Sequence, residues 1–204
     1  MVSQLLAKTV QRESLLLELG KALLKIGAIR FGSFKTHEGK FSPYYLDLRA
    51  VGSFPSVMKV TLSCLSSVAD SIDFSHVCGV PISGAVFGAL LANSSQKPFL
   101  YTVGRRSLKM HGQVKPGSRV LVVDDVSESG KSMEHAIQTI RANSGVVEDA
   151  LVVIDRSEGA IETLEAMGVK LHYFATIHEL AEKLKESMAL TEEEVQLIET
   201  KPGA

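Results

Sequence analysis

Val120-Leu121-Val122-Val123-Asp124-Asp125-Val126-Ser127-Glu128-Ser129-Gly130-Lys131-Ser132 reads as a strand over 120–123 with two adjacent acids at its carboxyl end, then a short Ser/Gly loop that opens a helix at 131. Four apolar residues in a row, with no polar alternation, is the pattern of a strand covered on both faces, as in parallel sheets. The loop and the first helical turn present backbone N–H groups, and the helix dipole favours an anion there. Ser127, Ser129 and Ser132 add hydroxyl donors, so the segment is a cradle for one phosphate group. Asp124 and Asp125 above it suit ribose hydroxyls or a hydrated Mg²⁺. A helix capped by Ser129 or Ser132 explains the serines more simply. It does not explain two neighbouring carboxylates, which repel each other at a buried strand end. Gly130-Lys131-Ser132 also invites the phosphate-loop pattern GxxxxGK[ST], but the glycine required five residues earlier is Asp125, and the pattern fails.

Outward from this segment the chain alternates strand and helix. Strands are expected at 76–80, 99–103, 119–123, 150–154 and 171–174, with helices at 84–92, 131–142, 159–167, 177–188 and 192–199. Upstream, leucines at helical spacing predict a helix over 3–26, a strand over 44–48 and a helix over 55–71. The expectation is an α/β fold, a parallel sheet flanked by helices with an N-terminal cap region. It forms a single domain over 1–204: an N-terminal helix and cap over 1–75, the core sheet over 76–175 and C-terminal helices over 176–204. Ligands of such sheets bind outside the strands' carboxyl ends, so the loops after Val80, Val103, Val123 and Ile154 are where chemistry belongs.

Composition sets the outer bounds. The chain has 204 residues, 45% apolar and 22% charged, which excludes disorder, collagen and coiled coil as whole-chain readings. Lys and Arg number 22 against 23 Asp and Glu, a formal net charge of −1, which argues against a broad nucleic-acid surface. Two cysteines, Cys64 and Cys78, lie in apolar runs and form no metal or disulfide pattern. With no membrane-length apolar stretch and no uninterrupted apolar leader, a soluble cytoplasmic protein is expected.

The neutral total conceals a basic stretch. Arg105, Arg106, Lys109 and Lys115 fall between Tyr101 and Lys115 with no acid among them, around His111-Gly112. Such a stretch calls for an anionic partner. With few apolar residues to pack, it reads as a mobile, solvated loop that orders when a polyanion arrives.

These residues resemble a known family. Val120 to Ser132 is similar to the phosphoribosyl-diphosphate (PRPP) binding motif of type I phosphoribosyltransferases. The resemblance implies that Asp124 and Asp125 hold the ribose hydroxyls, directly or with water-bridged Mg²⁺, and that 126–132 bind the 5-phosphate. Arg105-Arg106-x-x-Lys109-x-His111-Gly112 resembles the catalytic loop of the orotate phosphoribosyltransferases, which grips diphosphate in the neighbouring subunit's site. That implies a homodimer. Phe31-Gly32-Ser33-Phe34 and Ser42-Pro43-Tyr44-Tyr45-Leu46-Asp47-Leu48-Arg49 resemble the same family's N-terminal signature, where Tyr44, Tyr45 and His37 would take the base. Packing as core is the commoner use of such aromatics. Asp155-Arg156-Ser157-Glu158-Gly159 matches the family's Asp-Arg-x-x-Gly, and a planar guanidinium at Arg156 suits the carboxylate of orotate. Gly79 to Ala85 fits as a small-residue turn near the diphosphate. The match spans roughly 15–185 and extends to the first domain of bifunctional UMP synthases, without their decarboxylase portion.

The activity implied is orotate plus PRPP to orotidine 5′-monophosphate plus diphosphate, with Asp125, Lys109 and His111 as catalytic candidates. Three residues depart from the family pattern. His37 and Arg106 stand where lysines are usual, and Glu128 stands where a threonine touches orotate. A carboxylate there faces an anionic substrate, and the first expectation is that Glu128 turns outward toward Lys131 or a loop cation. Alternatives are a phosphoribosyltransferase for another base and a non-catalytic PRPP-binding regulator.

Overall fold

The computed structural model describes residues 2–35, 41–104 and 109–200, with side chains of the first helix from residue 6 onward. The chain forms two compact units, Met1–Cys64 with Ala175–Ala204, and Leu65–Phe174.

In the first unit, α1 (Val2–Lys25) buries Leu16, Leu19 and Leu23, which recur at helical spacing. Strands β1 (Ile29–Lys35) and β2 (Phe41–Leu46) pair antiparallel, with Ile29 opposite Leu46 and Phe31 opposite Tyr44. The strand expected at 44–48 thus starts and ends earlier. Asp47 stops it by accepting the Arg49 amide at 2.9 Å, which opens a short 3-10 helix over Arg49–Ser53. Helix α2 (Pro55–Ala69) begins on proline, whose missing N–H costs nothing at a first helical position. The chain's other end joins this unit through α6 (Ile177–Glu186), which packs on α1, and α7 (Glu192–Glu199), which packs on α6 and β2. Arg12 meets Glu179 at 3.1 Å and Lys183 meets Glu13 at 2.8 Å along the α1–α6 seam. Both late helices start with a capping box, Thr176 with Glu179 and Thr191 with Glu194.

The second unit carries β3 (His76–Gly79), α3 (Ser83–Ser94), β4 (Phe99–Val103), β5 (Lys109–His111), β6 (Val120–Ser127), α4 (Lys131–Ala142), β7 (Asp149–Asp155), α5 (Ala160–Glu165) and most of β8 (Lys170–Thr176). The sheet order is β5-β4-β3-β6-β7-β8. β3 runs parallel to β4 and β6, and β6 parallel to β7, as expected for strands without polar alternation. From β3 the chain moves outward through β4 and β5, then returns to lay β6 on the other side of β3. The switch point of this sheet therefore lies between β3 and β6. Beneath it Val120, Val122, Ala136, Ile137, Ile140, Ala150 and Val152 are all at most 2% exposed.

Two expectations change. β6 does not end at Val123: Val126 and Ser127 continue the ladder opposite Ile154 and Asp155, so the loop shrinks to Glu128-Ser129-Gly130. The basic stretch is not wholly a loop, because Lys109–His111 form an edge strand antiparallel to β4. Met110 packs half-buried against the core, and His111 stacks on Tyr101 with ring centroids 5.2 Å apart. These long-range contacts outweigh the polar composition of the segment. Among the described residues no helix is long and apolar enough to cross a membrane.

Candidate active site

The acidic strand end lies at the switch point. Asp124 is 8% exposed, and its Oδ1 accepts the Asp125 amide at 2.9 Å. Burial, reinforced by Asp125 beside it, pushes the Asp124 carboxyl well above the ordinary carboxylate range. Hydrogen bonds from the amides of Asp125 and Gly84 pull the other way. Asp125 is half-buried and forms the more accessible of the two acids.

The loop after them is held from outside. The Thr163 hydroxyl donates to the Ser129 carbonyl at 2.9 Å. Gly130 takes the N-cap position of α4 with φ of 79°, a left-handed conformation that a side chain resists. No side chain caps this helix, so neither Ser129 nor Ser132 is the cap considered from sequence. The N-terminal amides of α4 remain presented to an anion. Ser127 differs from the expectation of a phosphate donor. It is 1% exposed, and its hydroxyl donates to Asp155 at 2.5 Å, away from any bound anion.

Arg156 is 9% exposed. Its Nε and Nη2 approach Oε1 of Glu158 at 3.0 and 2.9 Å. Glu158 in turn lies near Glu128, and burial first, then Glu128, raises its pKa against the pull of Arg156. Glu128 therefore lies near another carboxyl group, a neighbour that sequence reasoning did not name. Asp155 and Glu158 lie in a motif quoted from the sequence, but their partners did not follow from it. Only the pairing of Ser127 with Asp155, which puts the β6 and β7 loops side by side, could have found them.

Lys109 and His111 are exposed on β5, opposite Val103 and Tyr101. Two strands, β4 and β3, separate them from β6, so Lys109 stands on the order of 14 Å from Asp124 across the sheet. The structure does not bring these cations to the acids. Arg105 and Arg106 lie outside the described residues, as does His37.

In the first unit Tyr44 is 2% exposed and serves the core. Tyr45 is half-buried and stacks on Phe34 at 5.3 Å, and the guanidinium of Arg30 lies 4.8 Å from its ring centre. Its hydroxyl donates to Asp47 at 3.0 Å and accepts from Arg49 at 2.7 Å. A hollow of about 640 Å³ opens at the amino ends of β3 and β4, by His76, Phe99, Met110 and Lys115. It is at the opposite end of the strands from Asp124, where this sheet architecture does not place its ligands.

Known proteins resemble this chain. The chain is 36% identical over 184 residues to the orotate phosphoribosyltransferase of Sulfolobus acidocaldarius, covering 87% of this chain and 92% of that one. The crystal structure of orotate phosphoribosyltransferase from Aeropyrum pernix superposes with a TM-score of 0.76 at 36% identity, over 82% of this chain and 98% of that chain. Uridine 5'-monophosphate synthase of Bos taurus is 29% identical over 195 residues, which is 91% of this chain but 40% of that protein. No protein-family model matches. With the acid pair at the switch point and this identity over most of its length, the chain belongs to the orotate phosphoribosyltransferases, the pentosyltransferases of pyrimidine biosynthesis.

Proposed function

We propose that this chain transfers the phosphoribosyl group of PRPP to orotate, giving orotidine 5′-monophosphate and diphosphate, with all of 1–204 serving that reaction as one domain. The observation that carries the reading is Asp124-Asp125 at the switch point, directly ahead of a helix whose N-terminus no side chain caps. The 5-phosphate binds the α4 amides together with the Ser129 and Ser132 region, and the two acids hold the ribose hydroxyls. As diphosphate leaves, positive charge develops at the anomeric carbon, and the neighbouring carboxylates stabilise it. Arg156 pairs with the carboxylate of the base, and Tyr45 and His37 take the base by resemblance.

The donor set at Asp124 and Asp125 fits Mg²⁺. Among the described residues no three His, Cys, Asp or Glu side chains gather into a cage. Two adjacent carboxylates suit an ion that keeps its waters and takes substrate oxygens. When bound, Mg²⁺ supplies positive charge to the departing diphosphate. Lys109, His111, Arg105 and Arg106 neutralise the same group, and Lys109 or His111 protonates it. The distance of Lys109 from Asp124 within one chain supports a homodimer in which a second copy supplies the basic stretch. Two buried thiols, Cys64 and Cys78, each pushed up to about 12 by burial, support a reducing, cytoplasmic setting.

The test offers a panel of bases with PRPP and Mg²⁺ and follows diphosphate release. Orotate is expected to be consumed. Release with a different base overturns the choice of substrate, and no release with any base leaves a PRPP-binding regulator.

A further inference from the structure

We propose that Asp47 and Arg49 are positioning residues for Tyr45, fixing it as a plate that meets the base with its ring and offers it no hydrogen-bond donor. The inference rests on the reading that Tyr45 takes the base, and it deepens that reading. Ser42, Tyr44, Leu46 and Leu48 are buried, while Pro43, Tyr45 and Asp47 between them are half-buried, so Tyr45 and Asp47 share the outward face. Arg49 follows where the 3-10 helix begins. Its Nε donates to Oδ1 of Asp47 and its Nη2 to Oδ2, each at 2.7 Å. The same Nη2 donates to the Tyr45 hydroxyl at 2.7 Å, and that hydroxyl donates to Oδ2 of Asp47 at 3.0 Å. A guanidinium only donates and an ionised carboxylate only accepts, so the direction of each bond in this closed ring is fixed. The one proton of the Tyr45 hydroxyl is spent on Asp47, and none is left for a substrate.

The tyrosine is also held on one face. Arg30 stands opposite Tyr45 in the β1–β2 ladder, and its guanidinium carbon lies 4.8 Å from the Tyr45 ring centre and 5.7 Å from that of Phe34. The two ring centres are 5.3 Å apart. These distances make an acute triangle, so Arg30 and Phe34 approach Tyr45 from the same side and leave its far face clear of both. A flat base stacks on that face. Because the ring is already ordered, binding does not have to immobilise it. With side chains 61% and 22% exposed, the Arg49–Asp47 ion pair adds little stability by itself, so Arg49→Ala is expected to fold.

The experiment measures KM for orotate at saturating PRPP and Mg²⁺, and KM for PRPP at saturating orotate, in the wild type, Tyr45→Phe, Arg49→Ala and the double variant. In parallel, NMR relaxation of the Tyr45 ring is followed in the substrate-free wild type and Arg49→Ala. KM for orotate is expected to rise about three- to tenfold in each single variant, the scale of ordering one side chain on binding, with KM for PRPP unchanged. The double variant should match Tyr45→Phe, because Arg49 acts through the hydroxyl already removed, and the ring should gain mobility without Arg49. An unchanged KM for orotate in Arg49→Ala, an effect of Arg49→Ala undiminished in the Tyr45→Phe background, or an equally rigid ring overturns the inference. If the wild type does not turn over orotate, the proposed function fails instead, and the substrate-free relaxation still decides whether Arg49 holds Tyr45.

Discussion

Gly84 and Asp124 touch so closely that only hydrogen fits between them. A Cβ at residue 84 would stand 2.5 Å from the Val123 carbonyl oxygen and 2.7 Å from Oδ1 of Asp124. The start of α3 is thereby pressed onto the end of β6, and the Gly84 amide reaches the buried acid. Gly84→Ala must move the β6 end or α3, at a cost of about 1–3 kcal/mol for overpacking. A lower Tm together with a raised KM for PRPP is the expected outcome, and an unchanged KM for PRPP would separate this contact from substrate binding.

Ser127 and Asp155 make a buried polar pair at 2.5 Å, and Asp155 also accepts from Ser157 at 3.3 Å. Ser127→Ala leaves a carboxylate oxygen without its donor where water does not reach. The expected loss is ~1–3 kcal/mol, read as a lower urea midpoint at unchanged slope.

Lys109 is exposed on an edge strand, so its removal disturbs little packing. In Lys109→Ala, kcat should fall by about 10²–10⁴-fold, the scale of a lost proton donor or charge partner in the transition state. Stability should move by no more than ~0.5 kcal/mol. Retained full kcat would remove Lys109 from the chemistry.

Asp47 is hydrogen-bonded by Arg49, which holds its carboxyl down at about 2. A carboxyl lowered on folding contributes stability above its unfolded value and loses it as pH falls through the folded one. Arg49→Ala should therefore be less stable than the wild type near neutrality, and the gap should close as pH drops from about 4 toward about 2. A gap independent of pH, measured by denaturant titration at several pH values, would rule out the pair as its source.

The segment Val120 to Ser132 announced the sheet, the acidic strand end and the glycine-opened helix start, because each depends on residues adjacent in the chain. Strand apolarity, paired acids and a Gly-opened helix are local signals. What lay beyond local reading was decided by register. Whether Ser127 faces a phosphate or the core depends on Asp155 being its ladder partner 28 residues away. That Glu128 lies near Glu158 follows from the same β6–β7 pairing and from no property of either motif alone. Lys109 and His111 looked like solvated loop residues, since three residues with charged ends carry no strand period. Pairing with β4 and stacking on Tyr101 supply the order. Local composition named the chemical groups of this protein, and long-range strand pairing set which of them face each other, because a sheet joins residues whose separation in sequence leaves no trace in either one's neighbours.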